Sequence, residues 1–297
     1  YLFKISLFIL PLLAVAIFLE VYLRNKLNDY SYKNEYLTNN AKDVETLIFG
    51  SSHSFYGIDP QYFSMNTFNA AHVAQSLKWD YFIFDKFKDK MTNLKHVIIP
   101  ISYFSLFYEL EGGDADWRIK DYKIYYDAEE PSFKYDSEVL NRKLVPLLLK
   151  FYKSFTGEDK GIYCTKLGFG QRSVLKDVDM ELSGITAAKI HTVENYDSFD
   201  GNLEILEKFL SDCKERDIKV LLIIPPAWET YKEHLNVIQM KKTVDACFDL
   251  SGKFENVTFL SLFDDRRFGI DDFANADHLN DKGAEKISRI LNKLIEN

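Results

Sequence analysis

"VETLIFGSSHS", residues 44 to 54, decides the fold, because a run of apolar residues ends abruptly in a glycine and a cluster of small polar residues. A short apolar run that ends in such a turn is typical of a strand buried on both faces. In an open parallel sheet, ligands bind beyond the carboxyl ends of the strands, which is where Gly50 and Ser52 are expected. The polar cluster is therefore either a strand-to-helix turn with a serine cap or the position of a nucleophile.

Four further segments have strand-like patterns, and helical periods lie between them. The segments are residues 66–70, 96–102, 219–225 and 257–262. Apolar residues recur at helical spacing at Leu203, Leu206, Leu210 and Cys213, and again at Ile287, Ile290, Leu291 and Leu294, with Asn280 as a candidate cap. Alternating strands and helices favour parallel pairing with right-handed crossovers. We therefore predict a three-layer α/β/α sandwich with a mostly parallel, flavodoxin-like sheet.

An aromatic-rich insertion interrupts this alternation at residues 103–200, after the third strand. Its aromatic side chains fit packing in a core or a lid better than a platform for a ligand. The aromatic residues considered are Tyr103, Phe104, Phe107, Tyr108, Trp117, Tyr125 and Tyr126.

Composition limits the classes of partner and of metal site. The chain has 297 residues, 46% of them hydrophobic, which is enough for one substantial core. A net charge of −8 without a basic cluster argues against a nucleic-acid partner. The three cysteines have no CxxC or zinc-type spacing, so we predict neither a disulfide framework nor a metal or other cofactor. Cys213 and Cys247 are expected to be small buried apolar residues.

The segment of residues 5–23 is apolar, with Glu20 as its only charge, and is long enough to cross a bilayer. A cleaved signal peptide is the alternative, but no small-residue cleavage site follows the segment. We predict a single-pass membrane anchor over residues 1–26 and one α/β domain over residues 27–297. Basic residues flank the segment on both sides, so charge does not decide its orientation.

A second polar cluster, "FANADHLNDKGA" at residues 273–284, lies between the last predicted strand and the last helix. It belongs to the same edge of the sheet as Ser52, so Ser52 and His278 can meet in space. A serine hydroxyl needs an imidazole within hydrogen-bond reach, and the imidazole needs a third group to orient it. Simpler roles remain open for both residues. The charge of Asp277 could do no more than stabilise the N-terminus of the following helix, and Asn275 could be an ordinary loop residue. His53 and His72 are expected to be exposed or hydrogen-bonded histidines rather than metal ligands.

Four stretches together resemble the SGNH, or GDSL-like, hydrolases: "LIFGSSHSFYGIDP" (47–60), "FNAAHVAQSL" (68–77), "NLEILEKFLSDCKERDIKVLLIIPPAWETY" (202–231) and "DHLNDKGA" (277–284). The nearest branch is the membrane-anchored one that contains teichoic-acid D-alanyl transfer proteins and polysaccharide O-acetyl transferases. The resemblance implies that Ser52 is the nucleophile and His278 the base. It also implies that the backbone N–H groups of Ser52 and Ala71 bind the oxyanion.

The chain departs from the family pattern at two places. Asn275 occupies the position, three residues before the histidine, where the family usually has aspartate. Asparagine can orient an imidazole but cannot stabilise the imidazolium by charge, a role that Asp277 could take instead. "PISYFSLF", residues 100–107, replaces the family's Gly-x-Asn-Asp loop, so no side-chain oxyanion donor is identifiable. Whether Asn275 or Asp277 orients His278 stays open.

The resemblance implies a membrane-anchored serine ester hydrolase or O-acyl transferase that acts on an acylated cell-envelope glycan. It further implies an extracytoplasmic catalytic domain and possible partners among envelope-assembly proteins. The two departures favour an alternative, which is a catalytically silent binding or scaffold module of a polysaccharide-assembly system.

Overall fold

The computed structural model describes residues 2–141, 143–171 and 178–296, and the chain divides into two compact units. The first unit comprises Tyr1–Tyr36 and Leu110–Tyr163, and the second comprises Leu37–Glu109 and Cys164–Asn297. The predicted boundary after residue 26 stays a prediction. Residues 142 and 172–177 of the predicted insertion lie outside the described residues.

The second unit is built around a sheet in which the five described strands are all parallel. They are β1 (Thr46–Ile48), β2 (Thr67–Asn69), β3 (His96–Pro100), β4 (Lys219–Ile224) and β5 (Val257–Ser261), in the order β2-β1-β3-β4-β5. Each strand lies within a segment predicted from its apolar pattern. The order is that of flavodoxin-like doubly wound sheets, so the predicted α/β class and parallel sheet are confirmed.

Helices cover both faces of this sheet. The helices of the second unit are α3 (Ser52–Phe55), α4 (Leu77–Phe87), α7 (Met180–His191), α8 (Phe199–Glu215), α9 (Glu229–Lys232), α10 (Val237–Lys253) and α11 (Asp281–Ile295). On one face, Ile48 and Ile98 share an apolar cluster with Leu291 of α11. On the other face, the Phe49 ring contacts Phe209 of α8, with centroids 5.3 Å apart. Successive strand residues point to opposite faces, which produces the predicted three layers.

The predicted cap of the last helix and the predicted burial of two cysteines are also confirmed. Asn280 caps α11, since its side chain accepts hydrogen bonds from the backbone N–H groups of Lys282 and Gly283. Cys213 and Cys247 are fully buried. Among the aromatic residues considered in the predicted insertion, Tyr103, Phe107, Tyr125 and Tyr126 are buried.

The first unit is helical. It contains α1 (Leu2–Arg24), α5 (Ile119–Tyr126) and α6 (Leu144–Thr156), and α2 (Asp29–Asn40) begins in it. Leu19 and Leu23 of α1 pack against Leu147 of α6. Helix α1 covers the segment predicted to be a membrane anchor. Within the ranges that the structure describes, however, no helix is both long enough and apolar enough to cross a membrane.

Candidate active site

The turn after β1 is held in a conformation that only glycine adopts without strain. Gly50 has φ +111°, and a Cβ built on it would lie 2.3 Å from the Ser54 Oγ. The Gly50 N–H donates to the buried Asp80 carboxylate over 2.8 Å, and the Gln75 side chain donates to the same oxygen over 2.6 Å. Burial raises the pKa of Asp80 to about 7, against the effect of these two hydrogen bonds. The chain therefore turns sharply into α3 at the carboxyl edge of the sheet.

Of the three serines in this turn, Ser52 alone is placed to react. Ser52 is partly exposed and lies in the first turn of α3. Ser51 and Ser54 are buried, and neither hydroxyl has a hydrogen-bond partner among the described residues. The predicted assignment of Ser52 within "GSSHS" is therefore the one that fits the geometry.

A small antiparallel hairpin, which was not predicted, carries the second polar cluster. It consists of β6 (Phe273–Asn275) and β7 (His278–Leu279), with Asn275 paired to His278. Ala276 in the turn donates its N–H to the Ser183 Oγ of α7 and accepts a hydrogen bond from the backbone N–H of Trp228. These bonds fix the hairpin, and with it the direction of the His278 ring.

Ser52 and His278, which lie 226 positions apart in the chain, are in direct contact. The His278 Nε2 lies 2.9 Å from the Ser52 Oγ. On the other side of the ring, Nδ1 lies 3.1 Å from Asp277 Oδ1 and 3.2 Å from Asn275 Oδ1. This is the arrangement of a nucleophile, a base and a group that orients the base. The structure thus brings together all four side chains predicted for the catalytic site.

Asp277 and Asn275 both orient the ring, but only Asp277 brings a charge. Burial by itself raises the pKa of a carboxyl group, yet the charges and hydrogen bonds of His278 and His53 outweigh it. They hold the pKa of Asp277 well below its usual value. Asn275 Oδ1 also accepts the backbone N–H of His278 over 2.9 Å, so it ties the ring to the hairpin as well. The choice between the two residues is therefore not exclusive.

Two further polar side chains extend this chain of contacts. The Asp277 Oδ2 lies 3.3 Å from His53 Nε2, and His53 Nδ1 lies 2.8 Å from the Ser102 Oγ. His53 and Ser102 are both buried. His53 follows Ser52 directly in the sequence. It was predicted to be either exposed or hydrogen-bonded, and it is hydrogen-bonded. Ser102 was not singled out, although its position just after β3 places it at the same edge of the sheet.

The predicted oxyanion donors differ in their availability. The Ser52 N–H lies in the first turn of α3, where backbone N–H groups have no acceptor within the helix. The Ala71 N–H instead donates to the Asn69 side-chain oxygen over 3.0 Å, in buried surroundings. The structure therefore gives Ala71 a different partner from the predicted oxyanion, because the Asn69 side chain folds back over the end of β2.

A cavity of about 490 Å³ opens beside His278, which is within the usual range for small-molecule sites. Its walls are one face of α7, including Leu182, Thr186 and Ile190, and the β6–β7 hairpin. His191 also contributes to the wall, and burial lowers its pKa to about 3, so its imidazole is neutral at physiological pH. The sequence patterns do not identify His191, because nothing local marks the end of α7 as part of a site.

His53, Asp277 and His278 also offer ligand atoms within 4.8 Å of one another, a spacing that could suit a metal ion. Hydrogen bonds from the two imidazole rings to the Asp277 carboxylate account for this spacing. Hydrogen bonding therefore explains the spacing of these atoms, and the absence of a metal from the site stays a prediction.

Comparison with known proteins gives matches among solved structures only. No family model matches the chain, and no curated protein matches it. A Streptococcus pneumoniae protein described as a candidate platelet activating factor aligns over 98% of this chain and 99% of its own, with 12% identity and a TM-score of 0.46. A candidate acylhydrolase of Bacteroides fragilis aligns over 88% and 94%, with 10% identity and a TM-score of 0.43. A GDSL-like lipase of Bacteroides thetaiotaomicron aligns over 90% and 98%, with 12% identity and a TM-score of 0.44. Similarity at this level does not by itself assign an activity to the chain.

Proposed function

We propose that this chain is a serine ester hydrolase or O-acyl transferase of the SGNH type. The observation that carries the proposal is the contact of the Ser52 Oγ with His278 Nε2 at 2.9 Å, with a buried carboxylate on the other side of the same ring. An isolated serine hydroxyl is a weak nucleophile, and this arrangement is the one that activates it.

The proposed reaction begins when the Ser52 Oγ attacks the carbonyl carbon of an ester, while His278 Nε2 takes the hydroxyl proton. The carbonyl oxygen becomes an oxyanion, towards which the Ser52 N–H can donate. When the tetrahedral intermediate collapses, the bond to the leaving oxygen breaks and His278 gives that oxygen the proton. Water or an alcohol then attacks the acyl-enzyme with His278 again as base, and Ser52 is regenerated.

Labelling with a serine-directed fluorophosphonate tests the nucleophile. Wild-type protein should be labelled at Ser52, and Ser52→Ala should abolish labelling. Ser54→Ala is the matched control, since it removes a neighbouring hydroxyl that is buried and faces no histidine. Labelling of Ser52→Ala at the wild-type rate, or its loss in Ser51→Ala with Ser52 intact, would show that the nucleophile is misassigned.

The substrate class that we propose is an acylated cell-envelope glycan, with attachment to a membrane through α1. The sequence resemblance supports the substrate class and an extracytoplasmic site among envelope-assembly proteins. Exposed apolar side chains of α1 support membrane attachment; they are Ile9, Leu10, Leu12, Leu13, Val15, Ile17, Phe18 and Val21. Release of acetate from O-acetylated envelope polysaccharide by wild-type protein, and not by Ser52→Ala, tests the substrate. Sedimentation with membranes that is lost in a Leu12→Asp/Leu13→Asp variant tests attachment.

A silent binding module is the second candidate, and one observation favours it. The Ala71 N–H is held by Asn69, so an oxyanion would have one backbone donor fewer than the family pattern implies. Losing an oxyanion donor costs about 10²- to 10³-fold in rate. Binding of an envelope glycan by wild-type and Ser52→Ala protein with equal affinity, without labelling or turnover by either, would establish this candidate.

A further inference from the structure

One buried carboxylate serves two imidazole rings at the proposed catalytic site. Asp277 Oδ1 faces His278 Nδ1 at 3.1 Å, and Asp277 Oδ2 faces His53 Nε2 at 3.3 Å. The ring centroids of His53 and His278 are 4.6 Å apart, and the rings are nearly perpendicular. Asp277 is 6% exposed, so its two oxygens depend on protein donors rather than on water.

The Asp277 carboxylate decides which nitrogen of His53 carries the proton, because an ionised carboxylate only accepts hydrogen bonds. The Ser102 Oγ lies 2.8 Å from His53 Nδ1, and Ser102 in turn is held by a bond from its backbone N–H to the Ser105 Oγ. When the Ser102 hydroxyl donates to Nδ1, the proton of a neutral ring is on Nε2 and donates to the Asp277 carboxylate. The other tautomer would set a nitrogen lone pair against a buried anion. The carboxylate therefore selects the tautomer with its proton on Nε2, and the Ser102 hydroxyl donates to the lone pair of Nδ1.

The other titratable groups around His53 do not compete for this carboxylate. The His191 ring centroid lies 5.9 Å from that of His53, and burial keeps His191 neutral by lowering its pKa to about 3. Tyr231, which is bonded to His191 Nδ1, stays protonated because burial raises its pKa well above the usual value. The Phe104 ring covers His53, with centroids 5.4 Å apart. Asp277 is thus the anion that the two bonded imidazoles share.

We propose that His53 is a positioning residue of this site, which rests on the proposed esterase function. By donating to Asp277 Oδ2, His53 holds the carboxylate so that Oδ1 stays on His278 Nδ1. Asp277 is the sequence neighbour of His278 and sits in a tight turn, so its reach to that ring needs a second anchor. Both departures from the family pattern then become connected. Because Asn275 is uncharged, Asp277 is the residue that places a negative charge beside His278. The segment after β3, which differs from the family pattern, contains Ser102, and Ser102 orients His53.

Substitution of His53 separates this role from simple packing. His53→Phe keeps the ring volume but removes the donor, and kcat for p-nitrophenyl acetate should fall about 10- to 100-fold, the range for a hydrogen bond to a charged group. The KM should change little, because His53 is buried and its proposed role is to hold Asp277 rather than to bind substrate. His53→Gln should recover most of the loss, since the glutamine Nε2 reaches the position of the imidazole Nε2. His96→Phe is the matched control, a buried histidine at the opposite end of β3, and should leave kcat unchanged.

A double-mutant cycle gives the decisive readout. Once Asp277→Asn has removed the carboxylate, adding His53→Phe should cost less than threefold more, because the two residues act through one contact. Equal losses in both backgrounds, or no loss in folded His53→Phe, would overturn the proposal. If His53→Phe does not fold, as judged by circular dichroism, Ser102→Ala decides the matter. It should lower kcat without changing KM, and wild-type kcat in that variant would refute the role of the pair. Failure of the proposed esterase function can be distinguished from failure of the His53 role, because in the first case fluorophosphonate would not label even the wild-type protein.

Discussion

Replacing Asp277 with asparagine should lower kcat of the proposed ester hydrolysis by about 10³- to 10⁴-fold. In the transition state His278 becomes an imidazolium, whose Nδ1 lies 3.1 Å from Asp277 Oδ1. At an effective dielectric constant of about 20, two unit charges at that distance attract by about 5 kcal/mol, which corresponds to nearly 10⁴-fold in rate. The amide of asparagine retains part of this attraction as a dipole, which sets the lower figure.

Asn275→Ala is the matched control, because it removes the other acceptor of His278 Nδ1 without changing charge. A neutral hydrogen bond contributes about 1 kcal/mol, so the expected loss is roughly tenfold or less. Initial rates with p-nitrophenyl acetate and the rate constant of fluorophosphonate labelling both report the reactivity of Ser52. Measuring both variants in both assays separates the charge of Asp277 from its hydrogen bond.

The opposite order of effects would refute this reasoning. If Asp277→Asn loses less than tenfold while Asn275→Ala loses more, then Asn275 orients the base and the charge is unimportant. Wild-type rates in both variants would exclude the triad, and the silent binding module would become the better explanation.

Further predictions concern the groups around Ser52. Because neutral imidazole must accept the Ser52 proton, kcat/KM should rise through about pH 6 to 7, where histidine titrates; activity unchanged down to pH 4.5 would exclude this. The pKa of Asp277 is held well below its usual value, so the same profile should show no carboxylate limb between pH 4.5 and 6. Burial raises the pKa of Asp80 from 3.8 to about 7, so the folded state favours the protonated form, and the free energy of unfolding should fall as pH rises between those values. The fall should reach at most about 4 kcal/mol, and Asp80→Asn should flatten it in denaturant titrations. Gly50→Ala should lower the free energy of unfolding by about 1–3 kcal/mol through backbone strain, and Ser54→Ala in the same chain should restore only the part due to overlap with its hydroxyl.

The α/β class and the sheet could be predicted from the sequence because their signals are local. The apolar runs around Thr46–Ile48 and Lys219–Ile224 are short, rich in aliphatic residues and bounded by turn residues. Such runs are strands buried on both faces, whatever the rest of the chain does. The cap at Asn280 is likewise set within one helical turn. Alternation of strands and helices then implied a parallel sheet. Because Ser52 and His278 both lie in segments that follow strands, both were expected at the carboxyl edge of that sheet.

The contacts within the site could not be predicted in the same way. Sequence spacing left Asn275 and Asp277 as alternatives, whereas both oxygens lie within 3.2 Å of His278 Nδ1 in the folded chain. The reason is the β6–β7 hairpin, whose tight turn brings neighbouring residues to the same ring. The family resemblance likewise implies that the Ala71 N–H binds the oxyanion, whereas the Asn69 side-chain oxygen accepts its hydrogen bond in the folded chain.

Amino-acid pattern by itself determined the sheet, the N-terminal cap of α11 and the two segments that hold Ser52 and His278. Tertiary structure alone decided that His53 of α3, Asp277 of the β6–β7 turn and Ser102 after β3 form one buried chain of contacts. A strand that is buried on both faces is a short, continuous run of apolar residues, and such a run is readable in one dimension. Hydrogen bonds between loops depend on distances of a few tenths of an ångström, which are set only when helices have packed on both faces of the sheet.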